Sequence, residues 1–458
     1  MALLPLLYYM IKFYWHIQNG LRLPPGPWQL PIIGSLHHML GAASVPHRRM
    51  RDLSRRYGPL MFLKFCEVPV IIVSSREAAI EVMKTHDSIF ATRPQTKVIK
   101  ILTKRGQAIA MSPYGEHWRQ LRKLCIAELL SPKHVHSLQP VRSEEVARLV
   151  QTISSASSPF VNLSELLVES IADMTMHAIM GYRLQDRDAL LTHVNKAIRV
   201  AGSFSLADLF PSSRLAGALS LMARKAEVYS ADTYAFMDHV ISEHKKRKSH
   251  EGSFLGGSET AATTVQWAMA ELMRNPTVMF RAQSEVREEF MGQMKVTEEG
   301  IKKLRYLHWV VAETLRLHPS TPLLLPRECR ETCQVMGYDV PKGAMVLVNA
   351  WAISRDPRYW DEPETFNPER FERDVRDYKG NNFEFTPFGA GRRICPGISF
   401  GLANVKVTLA NLLFYFDWSL PEEGVHPCEL DMTETMRITA KRTRDLWLRA
   451  TARVPLPR

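Results

Sequence analysis

The stretch that decides the fold reads Phe388-Gly389-Ala390-Gly391-Arg392-Arg393-Ile394-Cys395-Pro396-Gly397. Glycine permits backbone conformations and close approaches that a Cβ atom would block, and arginine can pair bidentately with a carboxylate. A lone cysteine is more often a small buried hydrophobic residue, and two arginines beside glycines could form a solvated turn. The ordered combination favours another interpretation, in which a cysteine thiolate ligates a metal while the backbone passes close to a flat cofactor.

The order Phe-x-x-Gly-x-Arg-x-Cys-x-Gly resembles the haem-binding signature of the cytochrome P-450 family. It is matched at Phe388, Gly391, Arg393, Cys395 and Gly397. The resemblance implies haem b as the cofactor, with Cys395 as the proximal iron ligand and Gly397 beside it. It also implies that Arg393 faces a propionate and that Phe388 shields the sulfur. A thiolate on haem iron favours O–O cleavage.

Length, composition and charge set the broad class of the protein. The chain has 458 residues, 45% apolar and 23% charged, which is ordinary for a globular protein with a sizeable core. Its net charge of +12 favours an anionic membrane surface or an acidic protein partner. We expect no nucleic-acid partner, because the sequence contains no nucleic-acid module. Six scattered cysteines without a zinc spacing indicate a reducing compartment.

We divide the chain into three parts. Residues 1–20 form a short membrane-anchor-like segment, whose mostly apolar run from Ala2 to Trp15 is shorter than the roughly 20 apolar residues that span a bilayer. An interfacial anchor and a truncated anchor are both compatible with it. Residues 21–35 form a proline-rich hinge, because proline fixes φ and restricts its predecessor. This hinge resembles that of microsomal, particularly plant, members of the family. Residues 36–458 form the catalytic domain, mainly α-helical with small β-sheets, as the cytochrome P-450 fold implies.

A second chemical motif reads Gly256-Gly257-Ser258-Glu259-Thr260. It resembles the family's oxygen-activating helix, in which a helix distortion leaves room for O₂. The resemblance implies that Thr260 hydrogen-bonds oxygen and that Glu259 relays protons. Taken alone, the same residues could be a plain helix N-terminus with Ser258 as the N-cap.

The sequence departs from the family immediately before this motif. A basic run, Lys245-Lys246-Arg247-Lys248, almost abuts the glycines, and such a run is normally a solvated face or loop. The family's long helix should instead carry several apolar turns there. We therefore predict a truncated central helix that lacks its N-terminal half. A real deletion, an alternative splice form and a mispredicted gene would each produce this pattern.

Further motifs follow in the family's order. The resemblance implies propionate contacts for Trp118, Arg122 and Arg327, although the residues alone favour a tryptophan packed over the Arg122 stem. It also implies a buried network of Glu313, Arg316 and Arg370.

Among the ordinary elements, we expect strands over 60–73, a short helix over 76–86, and helices over 162–248 that break near Pro211. Met436-Arg437 departs from the pocket-lining turn typical of plant relatives.

The function implied is that of a haem-thiolate monooxygenase. It would insert one oxygen atom from O₂ into a small apolar molecule, a plant secondary metabolite such as a terpenoid or phenylpropanoid. Electrons would come from NADPH through NADPH-cytochrome P-450 reductase, whose acidic surface would suit a positive proximal face that includes Arg392. The expected location is the endoplasmic reticulum membrane, with the catalytic domain facing the cytosol. The alternative is a non-catalytic haem-binding or defective isoform that lacks part of the distal site.

Overall fold

A computed structural model describes residues 20–39, 45–104, 106, 108–183, 186–202, 205–247, 258–374, 376–421, 426–436 and 438–454. Its α-helices are α1 (Pro46–Tyr57), α2 (Arg76–Ile80), α3 (Lys97–Leu102), α4 (Glu116–Leu124), α5 (Pro132–Ser137), α6 (Gln139–Ser154), α7 (Leu163–Met180), α8 (Arg187–Ala201), α9 (Leu206–Leu209), α10 (Arg214–Leu219), α11 (Leu221–Arg247), α12 (Glu259–Arg274), α13 (Pro276–Glu289), α14 (Glu298–Ile301), α15 (Arg305–Leu317), α16 (Ala350–Ile353) and α17 (Ile398–Tyr415). Short 3₁₀ or π turns cover Leu36–Met39, Glu81–Thr85, Cys125–Leu129, Pro368–Phe371, Gly391–Arg393 and Pro427–Glu429.

The strands form four small sheets. They are β1 (Leu60–Phe65), β2 (Val68–Val73), β3 (Phe160–Asn162), β4 (Arg327–Glu328), β5 (Cys333–Val335), β6 (Tyr338–Val340), β7 (Met345–Val348), β8 (Phe416–Ser419), β9 (Glu434–Met436), β10 (Ala440–Arg442) and β11 (Trp447–Ala452). The largest sheet has the order β1-β2-β7-β4, in which only the β2–β7 pair is parallel. The predicted strands over 60–73 are therefore confirmed as the β1–β2 hairpin, and its β-branched and aromatic residues suit a half-buried pleated surface.

The main hydrophobic core surrounds α12. Every residue from Ala261 to Met273 in this helix is buried, and a helix that is buried on all sides belongs inside a large core. It packs against α7, α15 and α17. Helix α17 is the one described helix that is long and apolar enough to cross a membrane, but most of it is buried in the protein. It is a core helix, and it starts directly after the cysteine loop.

The predicted network of Glu313, Arg316 and Arg370 is confirmed. Glu313 and Arg316 are fully buried, and two hydrogen bonds of 2.7 and 2.8 Å join them. Arg370 Nε donates to the same carboxylate at 3.0 Å. Arg316 also donates to the carbonyl oxygens of Ser354 and Pro363. The network therefore fixes α15 to the irregular segment that leads to the cysteine loop.

The residues of the predicted hinge are hydrogen-bonded to the sheets. The Phe62 N–H donates to the Pro25 carbonyl at 2.9 Å, and Arg22 and Asp339 exchange two hydrogen bonds of 2.7 Å. A Cβ atom at Gly26 would lie 2.0 Å from the Phe62 carbonyl oxygen, so only glycine fits there. The anchor-like segment lies outside the described residues, except for Gly20.

The other expected elements are largely present. Helix α2 and the π turn that follows it cover the predicted helix over 76–86, and α7 to α11 cover most of 163–247 with a break after α9. Helix α12 is α-helical throughout the described residues Glu259–Arg274, and the expected distortion is untested in the part of the motif that precedes them. The motif's two glycines, like Arg437, lie outside the described residues. The prediction of a truncated central helix therefore bears on a segment that the structure does not describe.

Candidate active site

The cysteine loop is shaped by two glycines in left-handed conformations. Gly389 has φ 71° and Gly391 has φ 68°. A Cβ atom at Gly391 would lie 2.3 Å from the Met83 carbonyl oxygen, so a larger residue cannot replace it without a shift of the backbone. The Cys395 N–H donates to the Phe388 carbonyl at 3.0 Å and closes the loop. Cys395 is thereby held just before the N-terminus of α17, where the helix dipole favours a thiolate.

The Cys395 thiol is exposed and yet poorly solvated. Its side chain is accessible, but burial raises the pKa of the thiol, while the Gly397 N–H and the Arg122 guanidinium act to lower it. The two observations agree because a side chain that lines a recess is accessible and still largely removed from bulk water. A thiolate in such a position needs a cationic partner to offset its desolvation.

Trp118 is buried between two guanidinium groups. The Cζ atom of Arg393 lies 4.1 Å from the centre of its indole ring, and that of Arg122 lies 5.5 Å away. Arg122 Nη2 also donates to the Ile394 carbonyl at 2.9 Å, next to Cys395. The structure therefore brings together three of the predicted site residues, and it confirms the predicted packing of Trp118 over Arg122.

Arg393 is buried at 8% exposure and only partly satisfied. Its Nε and Nη2 donate to the carbonyls of Ala91 and Ser112 at 2.5 and 2.6 Å, but its buried Nη1 has no partner. Burial, together with the nearby Arg327 and Arg122, lowers the pKa of Arg393 to about 9. An anionic group would accept a hydrogen bond from the unpartnered Nη1 and would offset the repulsion among the three arginines.

Two more buried arginines join this cluster. Burial, followed by the charges of Arg327 and Arg393, holds the pKa of Arg93 well below its usual value. Burial also lowers the pKa of Arg327, which donates to the Ala390 carbonyl at 2.8 Å and to Asp87 at 3.3 Å. Asp87 is shared, because Arg392 donates to it as well. One carboxylate therefore faces several guanidinium groups, and this excess of buried positive charge fits the carboxylates of a haem.

Phe388 and Gly397 flank the cysteine. The Phe388 ring packs edge-on against Tyr378, with ring centres 5.8 Å apart, at the edge of the main core. A Cβ atom at Gly397 would lie 3.9 Å from the Cys395 sulfur, so this glycine keeps the space beside the thiol open. Gly397 therefore lies next to the Cys395 sulfur, and Phe388 is joined to Cys395 through the backbone. Shielding of the sulfur by the Phe388 ring stays a prediction.

Glu259 begins α12, the helix at the centre of the main core. Its Oε1 accepts a hydrogen bond of 2.9 Å from the Thr439 hydroxyl, which comes from the turn between β9 and β10. The carbonyl of Thr260 accepts from the hydroxyls of Thr264 (2.9 Å) and Ser320 (3.1 Å). A side chain that bonds back to a carbonyl within a helix tends to bend it. The first turn of α12 is thus fixed by hydrogen bonds from Thr439 and from Ser320.

The alternative interpretation of this motif is not supported at Ser258. This residue stands at the N-cap position of α12, but it has helical dihedral angles and its side chain caps no helix N–H. An N-cap serine ordinarily has extended dihedral angles and accepts such a bond.

Sequence reasoning missed Asp87, Arg93 and Ser320, and it placed Thr439 in the expected pocket-lining turn without giving it a role. Each reaches its partner across a long stretch of chain, as Arg93 does when it donates to the carbonyls of Leu325 and Pro326. No local spacing predicts such contacts. The available signal was chemical, since Thr92-Arg93-Pro94 places an arginine directly before a residue that restricts the backbone.

The comparison with protein families agrees with this geometry. A model of the cytochrome P-450 family matches residues 24–253 and 247–443. The match comes in two pieces that meet at the basic run, where the sequence predicts a missing segment. The break supports the prediction that this chain departs from the family before Glu259.

Several curated plant proteins are similar over nearly the whole chain. The 5-epiaristolochene 1,3-dihydroxylase of Nicotiana tabacum is 43% identical and covers 95% of this chain and 94% of its own length. Premnaspirodiene oxygenase of Hyoscyamus muticus is 43% identical over 95% of this chain and 93% of its own. Desmethyl-deoxy-podophyllotoxin synthase of Sinopodophyllum hexandrum is 43% identical and covers 97% of this chain and 95% of its own length. The first alignment runs over 474 positions, more than the 458 residues of this chain, so it includes positions that this chain lacks.

A solved structure supports the fold. A zebra fish cytochrome P-450 determined with progesterone matches with a TM-score of 0.75 and 24% identity, and covers 90% of this chain and 100% of that one. The predicted class, mainly α with small sheets, is confirmed. Taken with the family match and the plant relatives, the cysteine loop and its arginine cluster lead to one conclusion: the chain belongs to the cytochrome P-450 family of oxidoreductases that use molecular oxygen.

Proposed function

We propose that the protein is a haem-thiolate monooxygenase of plant specialised metabolism. It inserts one oxygen atom from O₂ into a small apolar molecule, and the other atom leaves as water. The observation that carries the proposal is the cluster of buried, poorly compensated arginines around the recessed Cys395. Such a cluster is destabilising by itself, since like charges in a site removed from water repel strongly. It is accounted for if the site holds a flat dianionic cofactor.

The residues that would hold haem b follow from this arrangement. Cys395 would supply the thiolate ligand, and Arg393 and Arg327, supported by Arg93, would supply cations for the propionates. Trp118 and Arg122 brace Arg393 and the backbone before Cys395. When bound, the haem supplies the oxygen-activating chemistry, and the protein contributes the ligand, the orientation and the protons.

The first turn of α12 would handle protons. Glu259 holds a proton at a carboxyl oxygen, and the Thr439 hydroxyl fixes the orientation of that carboxyl. Thr260 follows directly in the sequence, so an acid and a hydroxyl both belong to the first turn of the buried helix. A positioned acid of this kind commonly contributes about 10²–10⁴-fold to proton-dependent steps.

We infer the substrate class and partners from the relatives and the charge. A terpenoid substrate fits the names of 5-epiaristolochene dihydroxylase and premnaspirodiene oxygenase, and a phenylpropanoid is the second class. NADPH-cytochrome P-450 reductase would supply electrons. Arg392 would contribute to its docking, because the side chain is 48% exposed, although it also pairs with Asp87. The endoplasmic reticulum membrane, reached through residues 1–20, is the proposed location.

Turnover with labelled oxygen tests the proposal. Microsomes that contain the protein, its reductase and NADPH would be incubated with isotopically labelled O₂ and a panel of terpenoid and phenylpropanoid substrates. We expect products that carry one labelled oxygen atom, and no product from Cys395→Ser. Label that enters from water instead of O₂, or turnover that survives Cys395→Ser, would contradict the proposed chemistry.

A second candidate function is a haem protein without monooxygenase activity. It is favoured by one observation, the break in the family match at residues 247–253 beside the start of α12. The segment that the relatives carry would extend the distal wall. Without it, haem could bind at the cysteine loop while the distal site fails to hold substrate or direct protons.

A repaired chimera separates the two candidates. The corresponding segment of the tobacco relative would be inserted between Ser249 and Phe254, and both proteins would be assayed at equal haem content. The monooxygenase proposal expects turnover by the native chain. Turnover by the chimera alone would establish the native chain as a haem protein with a disabled distal site.

A further inference from the structure

Two cysteines that take no part in the proposed haem site lie together at the edge of the main sheet. Cys329 follows β4 directly, and Cys333 begins β5. The Cys329 sulfur is fully buried and lies 3.6 Å from the Val340 carbonyl oxygen. Val340 is the cross-strand partner of Cys333 in the β5–β6 pair, and residues paired in this way stand roughly 4.5–5.5 Å apart at Cα. The two thiols therefore occupy one small region.

The two thiols differ in solvent access. Cys333 is half-buried, whereas Cys329 is closed to solvent and donates to the Glu331 carbonyl at 2.9 Å. Hydrogen bonding with Cys329 lowers the pKa of Cys333, against the opposing effects of burial and of the carboxylates of Glu331 and Glu81. The same contact raises the pKa of Cys329. The accessible sulfur is thus the more acidic one, which is the arrangement of an attacking and a resolving thiol.

We propose that Cys329 and Cys333 form a peroxide-reactive dithiol that closes to a reversible disulfide. The Cys333 thiolate attacks one oxygen of hydrogen peroxide, the O–O bond breaks, and hydroxide leaves as Cys333 becomes a sulfenic acid. The Cys329 thiol then attacks the Cys333 sulfur, an S–S bond forms, and the S–O bond breaks. The departing hydroxide takes up the Cys329 proton. In total, two thiols lose two electrons and one peroxide becomes two waters.

The backbone indicates which part moves when the bond forms. The N–H and carbonyl of Cys329 are fixed by hydrogen bonds to Ala344 and Gly343, at 2.9 and 2.7 Å. Cys333 belongs to the separate two-stranded β5–β6 sheet. Closure therefore draws this hairpin toward the main sheet and leaves Arg327, two residues before Cys329, in place. The disulfide restrains the hairpin and leaves haem binding unchanged.

Other cysteines provide internal controls. Burial raises the pKa of Cys66 to about 11 and also raises that of Cys125. Cys428 is exposed, and its neighbour in the short turn is His426 rather than another cysteine. We expect any oxidation of Cys428 to yield no intramolecular disulfide. In a reducing compartment, thiols of the glutathione type would reopen the Cys329–Cys333 bond.

Peptide mapping of the purified holoprotein tests the inference. Arg330 lies between the two cysteines, so trypsin releases them on separate peptides, 328–330 and 331–342, which only a disulfide holds together. After limited hydrogen peroxide and alkylation, we expect this linked pair with a mass lower by two hydrogen atoms. Dithiothreitol should reverse it, and the Soret band should not change.

Single variants identify the order of the steps. Cys329→Ser should stop at a Cys333 sulfenic acid that dimedone traps, and Cys333→Ser should leave Cys329 unreactive. If a variant does not fold, the wild-type map still decides. Absence of the linked peptide at a peroxide dose that oxidises Cys428 would overturn the inference.

Discussion

Removal of the Glu313 carboxylate should break the buried network that fixes α15 to the segment before the cysteine loop. Glu313 is fully buried and accepts hydrogen bonds from Arg316 Nε (2.7 Å), Arg316 Nη2 (2.8 Å), Arg370 Nε (3.0 Å) and the Asn367 N–H (2.9 Å). Glu313→Ala leaves two guanidinium groups without this counter-charge. Breaking a buried pair in this way costs about 3–5 kcal/mol, a large part of a typical net stability of about 5–15 kcal/mol. We therefore expect a destabilisation of about 4 kcal/mol and loss of most bound haem.

Urea unfolding, followed together with haem absorbance, measures both effects. The matched control is Glu144→Ala, which removes a carboxylate that pairs with Arg148 at 2.8 Å on the surface of α6. Exposed pairs contribute about 0–1 kcal/mol, so this variant should behave as wild type. Glu313→Gln, which keeps the shape but not the charge, should fall between the two. A Glu313→Ala protein with full haem content and a destabilisation under about 1 kcal/mol would refute the reasoning.

Three further outcomes are expected. Burial lowers the pKa of His308 to about 4, so between about pH 6.5 and pH 4 the folded protein binds fewer protons than the unfolded chain. The free energy of unfolding should therefore decrease as the pH falls through this range, by roughly 3 kcal/mol in all. His308→Gln should flatten this part of the dependence of stability on pH, as measured by urea unfolding. Thr439→Val removes the hydroxyl that donates to Glu259, so kcat should decrease and its solvent isotope effect should increase at unchanged KM, whereas Thr439→Ser should retain both. Arg393→Met should speed the transfer of haem to apomyoglobin and change the stability of the haem-free protein little, because relief of repulsion offsets the lost hydrogen bonds.

Each of these has a contrary result. A wild-type stability that is flat across that pH range would contradict the assignment at His308. A Thr439→Ser variant as impaired as the valine variant would exclude hydroxyl positioning. Unchanged haem transfer from Arg393→Met would exclude a propionate contact at that residue.

The sequence predicted those features whose residues lie close together or follow a family motif. Glu313 and Arg316 are three apart on one helical face, so their contact follows from helix geometry, and the order of the motifs added Arg370. The β1–β2 hairpin follows from its β-branched residues. The glycines of the cysteine loop were also interpreted correctly, because a left-handed φ and a close approach are demands that favour glycine.

The remaining contacts depend on tertiary packing. Arg93 and Asp87 enter the arginine cluster only because the chain folds back against Leu325 and Arg392, and no local spacing places either residue there. Thr439 meets Glu259 across 180 positions of sequence. The sequence offers no second Cys/His pair that would complete a zinc site with Cys329 and Cys333. It could not show that the β5–β6 pairing places Cys333 opposite Val340, whose carbonyl lies against the Cys329 sulfur.

The most direct test of the central claim is the absorbance spectrum of the reduced, CO-bound protein. A red-shifted Soret band of the thiolate type, present in the native chain and lost in Cys395→Ser, is the predicted result. It would show that Cys395 ligates haem iron in the site that the arginine cluster prepares. A spectrum without haem, or a thiolate band that survives Cys395→Ser, would contradict the account.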